Sequence, residues 1–179
     1  KVSSCKRSMM NITNLGSMPG IKPLFVSGVY RSGTTFLTTL IDAHPAYQTS
    51  SSSVKFMRFC VGKYGDMQDK QNRRNLIDET LLRIESRWGL SFQKDAVEAN
   101  LKQTSYAGIY DAIMRELLPD SKRDGVEWGE KLAVQWDQIE NFLRMFPDGK
   151  VLNILRDPRD VAASYKKMTY EPWPSFLDA

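Results

Sequence analysis

Two short stretches of the chain carry residue types in spacings that suit the binding of an anion such as a phosphate. The first is Gly28-Val29-Tyr30-Arg31-Ser32-Gly33-Thr34-Thr35, set between an apolar run and a helical pattern. Glycines at such a turn let the backbone wrap an anion, and the N-terminus of the next helix adds partial positive charge. Gly28 and Gly33 have the spacing of a phosphate loop, and Thr35 stands at its usual Ser/Thr position. Thr34, however, stands where a nucleoside triphosphatase carries lysine, and the loop offers its cation earlier, as Arg31. A glycine turn without a ligand is the competing reading; strand, turn and helix arriving in the required order argue against it.

The second stretch is Arg156-Asp157-Pro158-Arg159-Asp160, followed by Ser164. Arg156 directly follows an apolar run, and its planar fork suits a phosphate, with Ser164 reaching the same group from the next helix. The alternative is a surface ion pair between Arg156 and Asp157 or Asp160. A triphosphatase requires an acid at the end of its second strand, but Asp157 fits better as a helix N-cap with Pro158 at the first helical position.

The elements that must hold these residues can be read from local pattern. Leu24–Gly28 closes an apolar run bounded by Pro23 and a glycine, which predicts a buried strand, with a helix from Thr34 to Ala43. Val151–Leu155 predicts a second strand and a further helix. If the two strands are parallel, both motifs open into one crevice beyond their carboxyl ends. Between them, Ile77, Leu81, Ile84 and Trp88 recur at helical spacing, as do Tyr106, Ile109, Tyr110, Ile113 and Leu117. Leu132, Trp136, Ile139, Leu143 and Phe146 form a third such stripe, preceded by a short strand over Val126–Trp128. Tyr47 to Ser53 reads as a polar segment, with Ser50–Ser53 a loop or cap region. This alternation predicts an α/β domain: a P-loop-like three-layer fold, its central, mainly parallel sheet flanked by helices. Residues 1–20 read as a loosely attached tail and 21–179 as the domain, with a helical middle at about 54–120.

Composition narrows the function classes. The chain has 179 residues, 41% hydrophobic and 26% charged, enough for one globular core. A net charge of +4 suits an anionic ligand, but the basic residues are dispersed, which argues against a nucleic-acid module. Cys5 and Cys60 have no metal-type spacing and leave at most one bridge, and the single histidine, His44, makes a zinc site improbable. No apolar stretch is long enough to span a bilayer, so a cytoplasmic protein is the favoured reading, with a removed leader or anchor an alternative because Lys1 is not methionine.

Taken together, the two motifs resemble those of the PAPS-dependent sulfotransferases. The resemblance rests on Tyr30-Arg31-Ser32-Gly33-Thr34-Thr35 with Leu40 and His44-Pro45, and on Leu155-Arg156-Asp157-Pro158-Arg159-Asp160-Val161-Ala162-Ala163-Ser164. It implies that Arg31, Ser32, Gly33, Thr34 and Thr35 hold the 5′-phosphosulfate of the donor, and that Arg156 and Ser164 hold its 3′-phosphate. It also implies transfer to a hydroxyl or amine acceptor, with PAP as product and no metal. Glu130-Lys131 resembles the family's third, lysine-bearing segment and makes Lys131 a second cation at the sulfuryl group. The family's usual bases are replaced, by Ala133 in one position and by Ser51 and Ser52 in another. Glu130 and His44 are the substitutes considered, and Glu127 a weaker one; helix capping is the competing role for His44. The family also continues beyond the second motif, so the chain is expected to lack its C-terminal elements. A sulfotransferase-like nucleotide-binding module without turnover is the alternative function, and a P-loop kinase or NTPase is a more distant one.

Overall fold

A strand that reads as five consecutive apolar or small residues can be stable only with both faces covered. Leu24–Gly28 (β1) meets that demand: every one of its residues is buried. The computed structural model describes residues 14–50, 54–90, 94–119 and 125–166. Within them β1 is followed by α1 (Thr34–Asp42), β2 (Tyr47–Ser50), α2 (Phe56–Phe59), α3 (Lys70–Trp88), α4 (Lys94–Ala99) and α5 (Tyr106–Glu116). Then come β3 (Glu127–Ala133), a short 3-10 turn, α6 (Ile139–Met145), β4 (Lys150–Ile154) and α7 (Pro158–Tyr165). The four strands form a single parallel sheet in the order β2-β3-β1-β4.

Strand register assigns the layers. Phe25 pairs with Glu130 and Val151, so these three share a face, while Val26, Lys131 and Leu152 share the other. Phe25 packs edge-on against Phe142 of α6, and Glu130 meets Tyr110 of α5. Lys131 reaches Thr35 of α1 on the opposite face. Helices therefore flank a parallel sheet on both sides, the expected α/β architecture.

The core lies on the α5–α6 side. Tyr110 stacks on Phe56 at 4.6 Å and Trp128 meets Phe146 at 5.3 Å, while Trp128, Tyr110, Phe142 and Phe146 are fully buried. Burying each such ring contributes roughly 1.5–3 kcal/mol. α5 is buried almost all round, and Ser105 caps it by accepting from Gly108 N at 3.1 Å. The two middle stripes pack as their spacing predicts: Ile77, Ile84, Tyr106, Ile109, Tyr110 and Ile113 are buried, with Leu81, Trp88 and Leu117 packed alongside.

Four local readings need correction. Tyr47–Ser50 is a strand, paired in parallel with Glu127–Glu130, although its residues are mostly polar; Ser51–Ser53 lie outside the described residues. β3 runs to Ala133, so Glu130-Lys131 lies within the strand rather than after it. The third helical stripe is accordingly split: Leu132 belongs to β3 and Trp136 to the 3-10 turn, where it is 48% exposed. Pairing on both edges of β3 overrides its 3.6-residue pattern. Finally, the chain joins the domain before residue 20. Met18 N donates to Met145 O (2.7 Å), Ala107 N to Leu15 O (3.0 Å), and Asn14 Nδ2 to Asp66 Oδ1 (3.0 Å). Residues 1–13, and with them Cys5, lie outside the described residues; Cys60 is a buried free thiol.

Candidate functional site

β1 and β4 are adjacent and parallel, so the segments that follow them emerge side by side at the carboxyl edge of the sheet. Gly28 makes this proximity possible. A Cβ there would lie 2.6 Å from Ile154 Cγ2, 2.8 Å from Ser32 Oγ and 3.0 Å from Ile154 O. The loop then turns through Ser32, which closes it by hydrogen bonds from its N to Val29 O (3.1 Å) and from its Oγ to the same carbonyl (2.6 Å). Gly33 is the N-cap of α1 in the left-handed region (φ 103°), and no side chain caps that end. The first N–H groups of a helix have no intrahelical partner, so this end is open to an anion.

Arg31 adopts φ 69°, a left-handed conformation that costs a non-glycine residue about 1–2 kcal/mol. Its backbone is held from the second motif: Arg156 Nη1 donates to the Arg31 carbonyl at 3.1 Å. Its side chain is held there too, Nε donating to Ser164 Oγ at 3.0 Å. Residues 125 and 133 positions apart in the chain thus form one cluster. Arg31, Gly33, Thr34, Thr35, Arg156 and Ser164 line a single pocket. Ser32 is not among the lining residues; it is buried and its hydroxyl closes the turn on Val29 O. Lys131 approaches from β3, its Nζ donating to Thr35 Oγ1 at 3.2 Å. Among the described residues, two guanidinium groups and no carboxylate line the pocket, a lining whose charge suits an anion.

The second motif begins its helix as its residues predict. Asp157 is the N-cap, its Oδ1 accepting from Arg159 N at 2.8 Å, and Pro158 opens α7. Arg159, bound to the same carboxylate at 2.6 Å, holds the Asp157 carboxyl below its ordinary range. Beside its bond to the Arg31 carbonyl, Arg156 makes a long contact, 3.8 Å, with Asp160. Exposed as this pair is, it holds Arg156 weakly.

The three carboxylate and imidazole candidates lie elsewhere. Glu130 is fully buried on the face opposite Lys131, accepting from the Tyr110 hydroxyl and from Lys55 N (2.9 Å). Burial, and then the Glu130 charge, push the Tyr110 phenol well up. His44 follows α1 at the end away from the loop, about 14 Å along a nine-residue helix. There its Nδ1 accepts from Ala46 N at 3.1 Å. Glu127 opens β3 at the far edge of the sheet, 3.7 Å from Arg115.

Two contributors have no signal in the sequence. Lys55, left-handed at φ 56°, is tied to Glu130 across 75 positions, and Ile154 limits what Gly28 can become. Only the spatial pairing reveals either.

The model described as the sulfotransferase family matches residues 23–178. The chain belongs to the sulfotransferase family. A solved sulfotransferase from Mycobacterium tuberculosis H37Rv is similar over 86% of this chain, at 19% identity and a TM-score of 0.43. This sulfotransferase-family chain spans 51% of that structure's length. No curated protein matches the chain. Among the described residues, no helix is long and apolar enough to cross a membrane.

Proposed function

We propose that the chain binds PAPS in the pocket between the two motifs and transfers its sulfuryl group to a hydroxyl or amine acceptor, releasing PAP. The supporting observation is the convergence of Arg31, Arg156, Lys131, Thr35 and Ser164 around an uncapped helix N-terminus. Such a set fits a donor with two anionic groups. Gly33, Thr34, Thr35 and Ser32 would cradle the 5′-phosphosulfate, and Arg156 with Ser164 would take the 3′-phosphate. In the transfer the acceptor atom bonds to sulfur, the bond from sulfur to the bridging phosphate oxygen breaks, and the acceptor releases its proton. Charge grows on that bridging oxygen, where Arg31 and Lys131 would stabilise it without reorganisation.

A second reading, a nucleotide-binding module without turnover, draws on the placement of Glu130 and His44, neither of which faces the pocket. A kinase or NTPase is disfavoured by Thr34 at the lysine position. Calorimetric titration with PAP, and with ATP in the presence and absence of magnesium, separates the three. The expected result is magnesium-independent PAP binding, weakened at least about tenfold in Arg156→Ala, as loss of a charge-assisted phosphate contact implies. Tighter binding of ATP with magnesium, or unchanged PAP affinity in Arg156→Ala, would overturn the donor assignment. PAP binding without product on a panel of phenols, alcohols and amines would favour the module.

A further inference from the structure

The continuous stretch 54–90 gathers three cations around one aromatic ring. The Arg83 guanidinium carbon lies 4.6 Å from the centroid of the Phe59 ring, that of Arg58 5.3 Å, and Lys63 Nζ 5.4 Å. Each charge is therefore within two such radii of the others. Phe59 packs against the core, and Cys60 Sγ meets Thr80 Oγ1 at 3.3 Å, which ties the end of α2 to α3. The ring is thus a fixed post on which the three side chains rest. Arg83 is half-buried and donates from Nη1 to Cys60 Sγ at 3.8 Å, while Arg58 and Lys63 are exposed.

One neutral ring cannot cancel three unit charges, and the acids of the same stretch are engaged elsewhere. Asp66 accepts from Asn14 and from Gln68 N, and Asp69 from Asn72 N at the start of α3. Asp78 pairs with Lys94 at 2.6 Å, and Glu79 accepts from the Tyr64 hydroxyl. Glu85, the fifth, is two residues from Arg83 along α3, a spacing that places it on another side of the helix. Among the described residues no carboxylate pairs with Arg58, Lys63 or Arg83. The positive field reaches further: burial, and then the charges of Arg87 and Arg58, pull the Lys55 ammonium below its ordinary value. Like charges held together without a counter-charge raise the local potential and favour an anion.

Two guanidinium forks suit the oxygens of sulfate or phosphate, and three separated charges suit more than one such group. Cations lie over the ring, so a nucleic-acid base has no aromatic face to stack on there. We infer that Arg58, Lys63 and Arg83 form an anion site distinct from the pocket between the two motifs, taking a compact ligand with closely spaced sulfate or phosphate groups. The inference does not depend on the sulfuryl-transfer reading, because none of these residues lines that pocket.

The test follows backbone amide NMR shifts of the whole chain with two probes at constant ionic strength, sucrose octasulfate and inorganic tripolyphosphate. Saturable shifts over Arg58–Lys63 and at Arg83 are expected with at least one probe, and the tighter of the two identifies the group recognised. Shifts at Gly33–Thr35 report the other pocket and are read separately. Arg58→Gln and Lys63→Gln, both at exposed positions, should each weaken binding about tenfold, as loss of a charge-assisted contact implies. The melting temperature of each free variant should stay at or above wild type, because a like charge has left a crowded cluster. A purely structural role would instead lower the melting temperature and leave probe affinity unchanged. Absence of saturable shifts at these residues with both probes, unchanged affinity in both variants, or tighter binding there of an oligothymidylate of matched charge would overturn the site.

Discussion

Replacing Gly28 by alanine should disrupt the junction between the two motifs. Three contacts set the magnitude: the new Cβ meets Ile154 Cγ2 at 2.6 Å, Ser32 Oγ at 2.8 Å and Ile154 O at 3.0 Å. The carbonyl belongs to the backbone of a paired strand and cannot rotate away. Ser32 can move only by breaking its 2.6 Å bond to Val29 O, which closes the loop. Overpacking of this kind costs about 1–3 kcal/mol. The backbone, at φ 152°, adds about 1–2 kcal/mol for a residue with a Cβ. The sum, about 2–5 kcal/mol, corresponds to a fall of about 5–15 °C in melting temperature for a domain of this size. Thermal unfolding followed by circular dichroism measures it. A second substitution localises the cause: Ile154→Ala removes the Cγ2 atom, whereas Ile154→Val retains a branched side chain. In a double-mutant cycle, Gly28→Ala with Ile154→Ala should show a favourable coupling of about 1 kcal/mol that Ile154→Val lacks. A Gly28→Ala protein melting within about 2 °C of wild type, or equal coupling to both Ile154 variants, would refute the reasoning.

Other outcomes follow from the same geometry. Lys131→Met should reduce sulfuryl transfer by about 100-fold or more while PAP affinity stays within about threefold, since its proposed contact is with the transferring group; steady-state kinetics beside calorimetry read both. Tyr110→Phe leaves the buried Glu130 carboxylate without its phenol donor and should destabilise the neutral-pH protein by about 1–3 kcal/mol in urea titration. Burial raises the Cys60 thiol above its ordinary 9.0 and the Tyr110 phenol well above 10.0. Both are uncharged in the fold and ionise sooner in the unfolded chain. Their contribution is therefore complete below the ordinary values of 9.0 and 10.0, begins to fall as pH rises past each, and goes on falling up to the raised folded-state values. The urea midpoint should fall across that alkaline window, less steeply in Tyr110→Phe, and a flat midpoint to pH 11 (about one unit beyond the phenol's ordinary value) would contradict the burial argument.

What could be read from sequence was local. β1, its glycine loop and the start of α1 are legible because an apolar run, two glycines and a helical pattern follow one another within twelve residues. The Asp157-Pro158 start of α7 is legible for the same reason, since an N-cap and a first-turn proline act on neighbouring backbone groups. The residues that line the pocket between the two motifs come from these segments, so their identities were available in advance.

Their meeting was not. Arg156 holds Arg31 only because β4 pairs in parallel with β1, a contact between segments more than a hundred residues apart. β2 is too polar to announce itself and becomes a strand by hydrogen bonding to β3. The separation of Glu130 from Lys131 is the clearest case. Adjacent in sequence, they look like one charged pair beside a reacting group. Once β3 extends through both, the two-residue alternation of a strand sends Lys131 to the loop side and Glu130 into the core against Tyr110. Residue type and spacing determined which chemistry the chain can offer, because loops and caps are short-range. Pairing between distant strands decided which side chains face it, because the face a strand residue takes depends on its partners.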